Sequence, residues 1–571
     1  MCILGISAMG HDPAAALLGD NGIVAAIEEG KLARTRSIQG IPRAAMQFCL
    51  DRAGAVWRDV ERVAIASRPA RAWSRKTLLR ARLAPFALAS SGYHLNKAFG
   101  ELGSELNNLR ILRAIAGEPP GRIEEFDHHL CHAASAYYAS PFDRALIVTL
   151  DEQGDGRAGI VGLGEGTRVR ELASVPSPHS LAWVYTQVTR LLGFRPHGDE
   201  HKTQWLSLAG DPVFIDLFLE MLRRTPHGPP RLNARYFDRS FGGELSFTDE
   251  FYRRLGIVRE SEAHLADPLR ANIASSLQNS CAVVTSEWLE SLRRQTATRY
   301  LCLAGGLFLN PLLVAAVEKN TGFEKIFVQP AAGNEGTSLG AVWLMWHQRL
   351  NRQRVKRMSN LYWGPAYSNE AIKQVLDNCK AVYRWCDTED RKIEETLRLL
   401  HAGKIVAWYQ GPAEFGPRAL GNRSLLASPW APYVTENLND YIKHREPFRP
   451  FALSIPEDDC SDYFDCSRNG CFLTTMAVAT EKGRKLLDAL PPGFLLKDNL
   501  VRLHIVTFEE NPLFWKLLKR FKVKGIAPIL VNTSFNLFGE PLVIAPRDAV
   551  RSYFCSGADA LVAGSFMLIK Q

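Results

Sequence analysis

The stretch Asp127–Gly156, DHHLCHAASAYYASPFDRALIVTLDEQGDG, determines how the first half of the chain is interpreted. His128 and His132 lie four residues apart in an Ala-rich run without Gly or Pro, which predicts a helix with both imidazoles on one face. Arg144–Leu150 predicts a buried strand with Asp151 at its C-terminal end, beside a Gly-rich turn. Two imidazoles and a carboxylate indicate a site for Fe(II), Mn or Zn with open positions for a substrate. In the alternative interpretation, the imidazoles only cap, pack or face water.

Length and composition predict an ordinary globular protein. The chain has 571 residues, 46% of them hydrophobic, which is enough for at least two domains. Its formal net charge of +9 comes from 69 basic and 60 acidic side chains, an excess too small and too dispersed to indicate nucleic-acid binding. The eleven cysteines include no CxxC pair, which is typical of a reducing cytosol. Because no apolar run approaches the length of about 18 residues that spans a membrane, we expect a soluble, cytoplasmic protein.

Two segments of the chain share a pattern of three strands joined by two turns. The first runs from Cys2 to Glu28 and the second from Arg144 to Leu172, and helical sequence separates them. The repetition predicts an internal duplication. In the actin-like ATPase fold the first turn of each copy grips phosphate or metal, so the duplication also indicates a nucleotide site.

Two strand–turn–helix units follow the duplicated segments. Gly305 and Gly306 come directly after a strand, and Asn310 precedes the next helix. Gly333 lies in a second Gly-bracketed turn, before a helix that begins at Thr337. Glycines let a backbone approach a nucleotide closely, and a helix N-terminus favours phosphate. The four residues Gly305, Gly306, Asn310 and Gly333 are therefore predicted to bind nucleotide.

A polar, basic linker over residues 351–360 leads into the second part of the chain, which contains segments rich in Gly, Pro and Arg. The stretch Gly411–Ser424, GPAEFGPRALGNRS, is too rich in Gly, Pro and Arg to be a core element. Arg418 and Arg423 within it indicate anion binding, because a guanidinium forks onto phosphate oxygens. The Pro-stiffened segment KHREPFRPF, residues 443–451, adds three more cations and predicts a rigid, partly buried pocket.

A further polar segment lies near the end of the chain. Ala527–Glu540, APILVNTSFNLFGE, predicts a strand that runs into a polar loop. The loop contains Asn532, Thr533, Ser534 and Asn536, whose side chains suit adenine, ribose or a carbonyl group.

Together these motifs resemble the NodU/CmcH-type carbamoyltransferase family, which includes tobramycin and cephamycin O-carbamoyltransferases. The resemblance covers essentially the whole chain and rests on HDPAAALL, DHHLCHAASAYYASPFD, LCLAGGLFLN, PAAGNEGTSLGAVW, EFGPRALGNRSLLA, KHREPFRPFAL and VNTSFNLFGEPLV. It implies an α/β and α+β protein with two domains. A duplicated actin-like (ASKHA) carbamoyl-transfer domain is expected over residues 1–355, and a YrdC-like domain that forms carbamoyl adenylate over residues 356–571.

The resemblance implies a two-step, ATP-dependent carbamoyltransferase of antibiotic or other secondary metabolism. The second domain joins carbamoyl phosphate to the AMP part of ATP, releasing phosphate and pyrophosphate and leaving carbamoyl adenylate. The first domain then moves the carbamoyl group to a hydroxyl of a small-molecule natural product. The expected cofactors are Mg²⁺ with ATP, and Fe²⁺ or another divalent metal. A homodimer is compatible with the resemblance, and neither a nucleic acid nor a membrane is an expected partner.

The resemblance also implies roles for single residues. His128, His132 and Asp151 fall on the iron ligands, and His11 falls on a histidine beside the transfer site. The fourth ligand is an Asp in the family, but Asn334 stands at this position and binds a cation more weakly. Arg418, Lys443 and Arg449 are, with His11, the expected catalytic residues. The residues on or near the carbamoyl-phosphate and adenylate pocket are Arg418, Ser424, Lys443, Arg449, Arg502, Asn532 and Ser534.

Two departures from the family concern the acceptor. The segment EHKTQWLS, residues 200–207, replaces a different family sequence and is predicted to be a loop facing the transfer chamber. Glu152 replaces the usual Gly after the metal-ligand Asp. The acceptor-side candidates are Glu152, His201, Lys202 and Gln204. These changes leave open the same adenylate chemistry directed to an amine or another altered acceptor reaction, while Asn334 favours an inactive ATP-binding scaffold.

Overall fold

The computed structural model describes residues 1–8, 11–36, 38–68, 123–225, 228–237, 247–259, 265–354, 358–521 and 527–570, with scattered positions between 103 and 114. It divides into two compact units, which are Met1–Val24 with Gln39–Arg357 and Ala25–Ile38 with Met358–Gln571. The sequence interpretation assigns all of 1–355 to the first domain, whereas the structure groups Ala25–Ile38 with the second unit. The sequence also predicts a helix over 95–114, which lies largely outside the described residues.

The described part of the chain before residue 355 forms two five-stranded sheets and a two-stranded ribbon. Its strands are β1 (Ile3–Ser7), β2 (Ala14–Gly19), β3 (Gly22–Glu28), β4 (Arg62–Ile65), β5 (Ile123–Glu125), β6 (Arg144–Gly154), β7 (Arg157–Glu165), β8 (Arg168–Pro176), β9 (Leu222–Arg223), β10 (Arg231–Leu232), β11 (Tyr300–Ala304) and β12 (Lys325–Val328). Its helices are α1 (Glu29–Ala33), α2 (Arg43–Ala53), α3 (His128–Ala139), α4 (Leu181–Leu191), α5 (Glu200–Leu206), α6 (Ile215–Met221), α7 (Asp249–Leu255), α8 (Asp267–Thr296), α9 (Pro311–Asn320) and α10 (Thr337–Leu344).

The two five-stranded sheets repeat one topology. Their strand orders are β3-β2-β1-β4-β5 and β8-β7-β6-β11-β12. In each sheet the central strand, β1 or β6, is antiparallel to its hairpin partner and parallel to its other neighbour. Matching order and direction confirm the internal duplication, and the first unit has the expected actin-like α/β fold.

Two local predictions are corrected by the structure. The predicted strand ends at Leu150, but β6 continues through Asp151 to Gly154. The register with β7 shifts between Leu150 and Gly154, so the strand stays extended while Asp151 leaves the hydrogen-bonded ladder at a bulge. The segment predicted as a loop over 200–207 is mostly helix, because Glu200–Leu206 forms α5, whose side chains Thr203 and Trp205 are buried.

The second unit is built on a mixed eight-stranded sheet in the order β13-β23-β22-β14-β15-β21-β16-β20, with a smaller sheet β17-β18-β19. The strands are β13 (Arg384–Trp385), β14 (Val406–Tyr409), β15 (Arg423–Ala427), β16 (Ala452–Pro456), β17 (Phe464–Asp465), β18 (Ala477–Ala479), β19 (Leu500–Val501), β20 (Leu503–Val506), β21 (Leu530–Ser534), β22 (Ala560–Ala563) and β23 (Phe566–Ile569). The helices are α11 (Asn369–Asn378), α12 (Glu389–His401), α13 (Val434–Leu438), α14 (Glu457–Tyr463), α15 (Glu481–Leu487), α16 (Pro512–Arg520) and α17 (Pro546–Phe554).

The core of the second unit forms where helices cover the sheet. Trp408 of β14 packs in one buried cluster with Phe514 and Leu517 of α16 and with Ile393 of α12. The predicted combination of α/β and α+β architecture is confirmed. In the part of the chain that is described, no helix is both long enough and apolar enough to cross a membrane.

Candidate metal centre and cation pocket

Helix α3 begins at the first of the two predicted metal-binding histidines. Asp127 caps it, since its Oδ1 accepts the N–H of Leu130 at 3.2 Å and also binds the guanidinium of Arg157. One turn separates His128 from His132, so the two imidazoles lie on one face with ring centroids 4.7 Å apart. The structure therefore contains the predicted helix and brings its two imidazoles together.

Three potential ligand atoms converge beside this helix. His128 Nε2 and His132 Nε2 are 3.1 Å apart and lie 3.4 and 3.1 Å from Asp151 Oδ2. Ligands bound at about 2.0–2.2 Å to one cation are separated by about 3.0–3.6 Å, so this triangle has the size that a transition metal requires. Among the described residues it is the one His, Cys, Asp and Glu cluster with such spacing. We call His128, His132 and Asp151 the metal centre.

A glycine leaves the room that His128 needs. A Cβ at Gly154 would lie 2.0 Å from His128 Cδ2, so a larger residue there would displace the imidazole. Asp155, in the following turn, accepts the backbone N–H of His128 at 2.8 Å and the Ser67 hydroxyl at 3.1 Å. The bulged end of β6 thus fixes both the metal-centre carboxylate and the start of α3.

The neighbouring His129 has a different role from the two ligand candidates. Its Nε2 lies 3.0 Å from the carbonyl oxygen of Arg157, and its Nδ1 lies 3.3 Å from the Thr149 hydroxyl. Burial, reinforced by the charge of His128, lowers the pKa of His129 to about 3. His129 is therefore a neutral core residue.

The charges of the metal centre are mutually dependent. Burial raises the pKa of Asp151, but hydrogen bonds from His128 and His132 outweigh it and hold that pKa well below its usual range. Burial, together with the charge of His128, lowers the pKa of His132. The site thus holds an ionised carboxylate beside an imidazole that resists protonation, a donor set that suits a divalent cation.

His11 and Asn334 form a pair in the same unit. Asn334 Nδ2 lies 3.3 Å from His11 Nε2 and 3.2 Å from the His11 carbonyl oxygen. Asn334 Oδ1, the atom expected to bind metal, is buried and accepts no hydrogen bond from any described residue. Burial opposes protonation of the half-exposed His11, but the hydrogen bond to Asp12 and the charge of Asp151 raise its pKa to about 9. The ligand role of Asn334 stays a prediction.

The acceptor-side candidates occupy different environments. Glu152 Oε2 lies 3.1 Å from His197 Nδ1, and the His197 ring lies 6.3 Å from the ring of His11. Lys202 pairs with Asp199 at 3.3 Å. His201 and Gln204 are on α5, where His201 is partly exposed and Gln204 is buried. His197 was missed by sequence reasoning, although its position between Pro196 and Gly198 was a signal for an irregular, site-lining segment.

The first two nucleotide candidates approach the strand that carries Asp151. Gly305 has a φ of 97°, and a Cβ there would lie 2.2 Å from the Leu150 carbonyl oxygen. A Cβ on Gly306 would lie 3.0 Å from Asp151 Oδ1. The close approach of two backbone segments beside the metal centre thus explains both glycines, and their contact with nucleotide stays a prediction.

The other nucleotide candidates also have structural contacts. The Asn310 side chain accepts the N–H of Leu313 at 3.0 Å, which caps α9, and donates to Gln278 Oε1 at 2.8 Å. A Cβ on Gly333 would lie 2.4 Å from Glu335 Oε2. Nucleotide binding by Asn310 and Gly333 stays a prediction.

In the second unit, Lys443 is a buried cation held by neutral groups. It is 6% exposed, and its Nζ donates to the backbone oxygen of Ser534, to Asn536 Oδ1 at 2.7 Å and to the Asn536 carbonyl at 3.2 Å. Burial, with the nearby charges of Arg445 and Arg449, lowers its pKa well below the usual value. A bound substrate anion would supply the negative charge that the neutral partners of Lys443 do not provide.

Four arginines share the surroundings of Lys443. Burial and the charge of Arg449 lower the pKa of Arg418 to about 10, and the same causes lower that of Arg445 to about 9. Burial also lowers the pKa of Arg502, as do the charges of the other three arginines. Glu446, 3.7 Å from Arg449, is a carboxylate beside them. We call Arg418, Lys443, Arg445, Arg449 and Arg502 the cation pocket; Arg445 was not singled out from the sequence.

The predicted polar residues of this pocket lie on two paired strands. Ser424 of β15 is directly opposite Ser534 of β21, and Ser534 Oγ lies 3.4 Å from Lys443 Nζ. Asn532 Nδ2 lies 3.2 Å from His504 Nδ1, and Asn532 Oδ1 is buried without a hydrogen bond among the described residues. The structure therefore brings Ser534 to Lys443, and the substrate contacts of the three polar residues stay predictions.

Arg423 is not an anion-binding residue, contrary to the sequence interpretation. It is fully buried on β15, and its guanidinium donates to the carbonyls of Gln410, Gly411 at 3.0 Å and Pro365 at 3.2 Å. It also lies 3.8 Å from the ring centroid of Tyr409. Because both of its Nη groups already bind backbone oxygens, Arg423 has a structural role.

Comparison with known proteins identifies the family of the chain. The profile described as Carbamoyltransferase N-terminus matches residues 2–343, and the profile described as Carbamoyltransferase C-terminus matches residues 397–570. The chain belongs to the carbamoyltransferase family. It is therefore an enzyme that transfers carbamoyl groups, and the family resemblance predicted from its motifs is confirmed.

Individual relatives cover different shares of this carbamoyltransferase. An uncharacterized protein of Synechocystis sp. is 33% identical over 100% of this chain and 96% of its own length. The nodulation protein NolNO of Sinorhizobium fredii is 32% identical over 98% of this chain and 79% of its own. The 3'-hydroxymethylcephem-O-carbamoyltransferase of Amycolatopsis lactamdurans is 27% identical over 46% of this chain and 48% of its own.

Proposed function

We propose that the enzyme forms carbamoyl adenylate from carbamoyl phosphate and ATP, with Mg²⁺, in its second unit. The carbamoyl group then passes to a hydroxyl of a small-molecule natural product in the first unit. The products of the first step are phosphate, pyrophosphate and the mixed anhydride of carbamate with AMP. The observation that carries this proposal is the cation pocket.

The cation pocket suits the substrates of the first step. Carbamoyl phosphate and ATP bring several negative charges, which the guanidinium groups bind through paired hydrogen bonds. Lys443 adds a point charge at the end of β21, where Ser534 and Asn536 fix its ammonium group. Since the pKa values of Arg418, Lys443, Arg445 and Arg502 are lowered by burial and by neighbouring cations, a bound anion stabilises their charged forms.

The metal centre supports the second step. His128, His132 and Asp151, with Asn334 as the further candidate, would hold a divalent cation, which would supply a Lewis acid for the carbamoyl carbonyl. His11, half exposed beside Asn334, is the candidate base for the acceptor hydroxyl, and because its pKa is raised to about 9 it takes this proton only after losing its own. The hydroxyl oxygen then bonds to the carbamoyl carbon, and AMP leaves with the electrons of the broken bond.

Pyrophosphate release tests the first step. The purified enzyme is incubated with ATP and Mg²⁺, with or without carbamoyl phosphate, and compared with Lys443→Ala. Lys482→Ala, an exposed lysine paired with Asp462, is the matched control. We expect release that requires carbamoyl phosphate and falls about 100- to 1,000-fold in Lys443→Ala. Release that is independent of carbamoyl phosphate, or unchanged in Lys443→Ala, would contradict the proposal.

A further inference from the structure

A short segment near the N-terminus contributes three cations to the second unit. The segment is Ala25–Ile38, which the structure groups with Met358–Gln571. It contains the end of β3 and helix α1, and the helix stops at Arg34 in the left-handed region with a φ of 58°. Lys31, Arg34 and Arg36 all bind backbone carbonyls of two loops in the second unit.

Lys31 fixes the loop that leads to Arg418. Its Nζ donates to the carbonyl oxygens of Glu414 at 2.8 Å and Gly416 at 2.7 Å. Glu28 Oε1 lies 2.9 Å from the same Nζ and accepts the N–H of Gly416 at 2.8 Å. Lys31 and Glu28 are 8% and 9% exposed, so water competes little with these charge-assisted hydrogen bonds.

Glu414 fixes the backbone on the other side of Arg418. Its Oε1 accepts the backbone N–H groups of Leu420 and Asn422, each at 2.9 Å, and that of Arg423 at 3.2 Å. The loop that carries Arg418 is therefore fixed before and after this residue.

Arg34 and Arg36 fix the second loop. Arg34 Nη1 donates to the carbonyls of Pro541 at 3.0 Å and Leu542 at 2.5 Å, and its Nη2 lies 2.9 Å from Glu540 Oε2. Arg36 donates from Nε and Nη2 to the Glu540 carbonyl at 3.1 and 2.8 Å.

The Glu540 carbonyl connects this loop to Lys443. It also accepts Asn536 Nδ2 at 2.6 Å, and Asn536 Oδ1 accepts Lys443 Nζ at 2.7 Å. A continuous run of hydrogen bonds therefore leads from Arg36 through Glu540 and Asn536 to Lys443.

We propose that Ala25–Ile38 is a positioning element for the cation pocket. Lys31 positions the loop that carries Arg418, and Arg36 positions the loop that anchors Lys443. Repulsion among the pocket cations favours spreading of these loops when no anion is bound, and the segment opposes that spreading. The inference rests on the function proposed above, because it concerns affinity for the phosphate-bearing substrate of the same pocket.

The test compares Arg36→Gln and Lys31→Met with the wild-type full chain. Arg36 is exposed, so its replacement leaves the fold intact. Arg398→Gln, an exposed arginine paired with Glu395, and Lys392→Met, a second buried lysine of this unit, are the matched controls. The measurements are the Kd of inorganic phosphate by calorimetry, the KM and kcat for carbamoyl phosphate in pyrophosphate release, and the Tm.

We expect Arg36→Gln to raise the phosphate Kd and the carbamoyl-phosphate KM about tenfold, the effect of one charge-assisted hydrogen bond. The kcat and the Tm stay at wild-type values, and Arg36→Lys recovers most of the affinity because an ammonium group still donates to the Glu540 carbonyl. Lys31→Met raises the KM more than Lys392→Met does. An unchanged Kd and KM in Arg36→Gln would overturn the positioning role.

The two proposals fail in distinguishable ways. If the wild type binds phosphate but releases no pyrophosphate, the proposed function is wrong. The phosphate titrations of Arg36→Gln and Arg398→Gln then still decide whether the segment positions the pocket. If the wild type releases pyrophosphate with carbamoyl phosphate but Arg36→Gln changes neither the Kd nor the KM, only the positioning role is overturned.

Discussion

The metal centre and the cation pocket are opposite in charge. The metal centre joins an ionised carboxylate to two imidazoles, whereas the cation pocket gathers one lysine and four arginines. The donor set of the metal centre suits a cation, whereas the buried like charges of the cation pocket are costly without an anion. The difference agrees with the proposal that anion activation and group transfer have separate sites in one chain.

The two sites also differ in how they are built. His128 and His132 lie on α3 and Asp151 lies on β6, so regular elements fix the metal centre. Arg418 and Arg449 lie on loops, which have no ladder of hydrogen bonds to hold them. Lys31 supplies hydrogen bonds to the loop that carries Arg418, and Arg36 supplies them to the loop that anchors Lys443.

The largest expected effect is loss of the metal. His132→Ala and Asp151→Asn each remove a ligand atom from the triangle, so we expect metal content close to zero and carbamoyl transfer reduced at least about 100-fold. Elemental analysis and product formation measure both effects. His179→Ala, another histidine of this unit, is the control. Full metal content in His132→Ala would mean that the triangle is not the metal site.

Gly154→Ala tests how tightly the metal centre is packed. The new Cβ would lie 2.0 Å from His128 Cδ2, so the imidazole must move. We expect metal affinity to fall about 10- to 100-fold, as when a supporting residue is lost, with pyrophosphate release unchanged. Gly19→Ala, whose new Cβ would have Val24 Cγ2 at 3.1 Å as its closest neighbour, is the control. Equal metal affinity in both variants would refute tight packing.

Arg423→Met and Arg418→Met separate the structural arginine from the pocket arginine. Arg423→Met leaves buried carbonyls without donors, and we expect the free energy of unfolding to fall by about 3 kcal/mol. Arg418→Met removes one of several repelling charges, and we expect a change within about 1 kcal/mol with loss of phosphate binding. Denaturant unfolding and phosphate titration measure the two effects. Loss of stability in Arg418→Met together with loss of phosphate binding in Arg423→Met would mean that each arginine has the role assigned to the other.

Phosphate is expected to stabilise the second unit. At a concentration of 100 times its Kd, an anion that binds only the folded state adds about 2.7 kcal/mol to the free energy of unfolding. We expect a matching rise in Tm for the wild type and almost none for Arg418→Met, measured by calorimetry with sulfate-free buffer. An equal rise in both proteins would place phosphate outside the cation pocket.

Local sequence pattern was sufficient for the metal centre. The four-residue spacing of His128 and His132 and the following apolar strand depend on short-range preferences, and the structure has both elements. The bulge after Leu150 could not be predicted, because it depends on the register between β6 and β7. The helix over Glu200–Leu206 was missed because its buried Thr203 and Trp205 are stabilised by tertiary packing.

The cation pocket could be predicted only in part. Arg418 and Arg423 stand in one Gly- and Pro-rich stretch, and composition does not distinguish the buried arginine from the pocket arginine. The grouping of Ala25–Ile38 with the second unit was also hidden, because Lys31 contacts residues almost four hundred positions away. Such long-range contacts leave no periodic signal in the sequence.

The division of the reaction between two sites is tested most directly by measuring pyrophosphate release and carbamoylated acceptor together in Lys443→Ala and His132→Ala. We predict that Lys443→Ala loses both activities, whereas His132→Ala keeps pyrophosphate release and loses transfer. Loss of pyrophosphate release in a folded His132→Ala enzyme, or its persistence in Lys443→Ala, would contradict separate sites for activation and transfer.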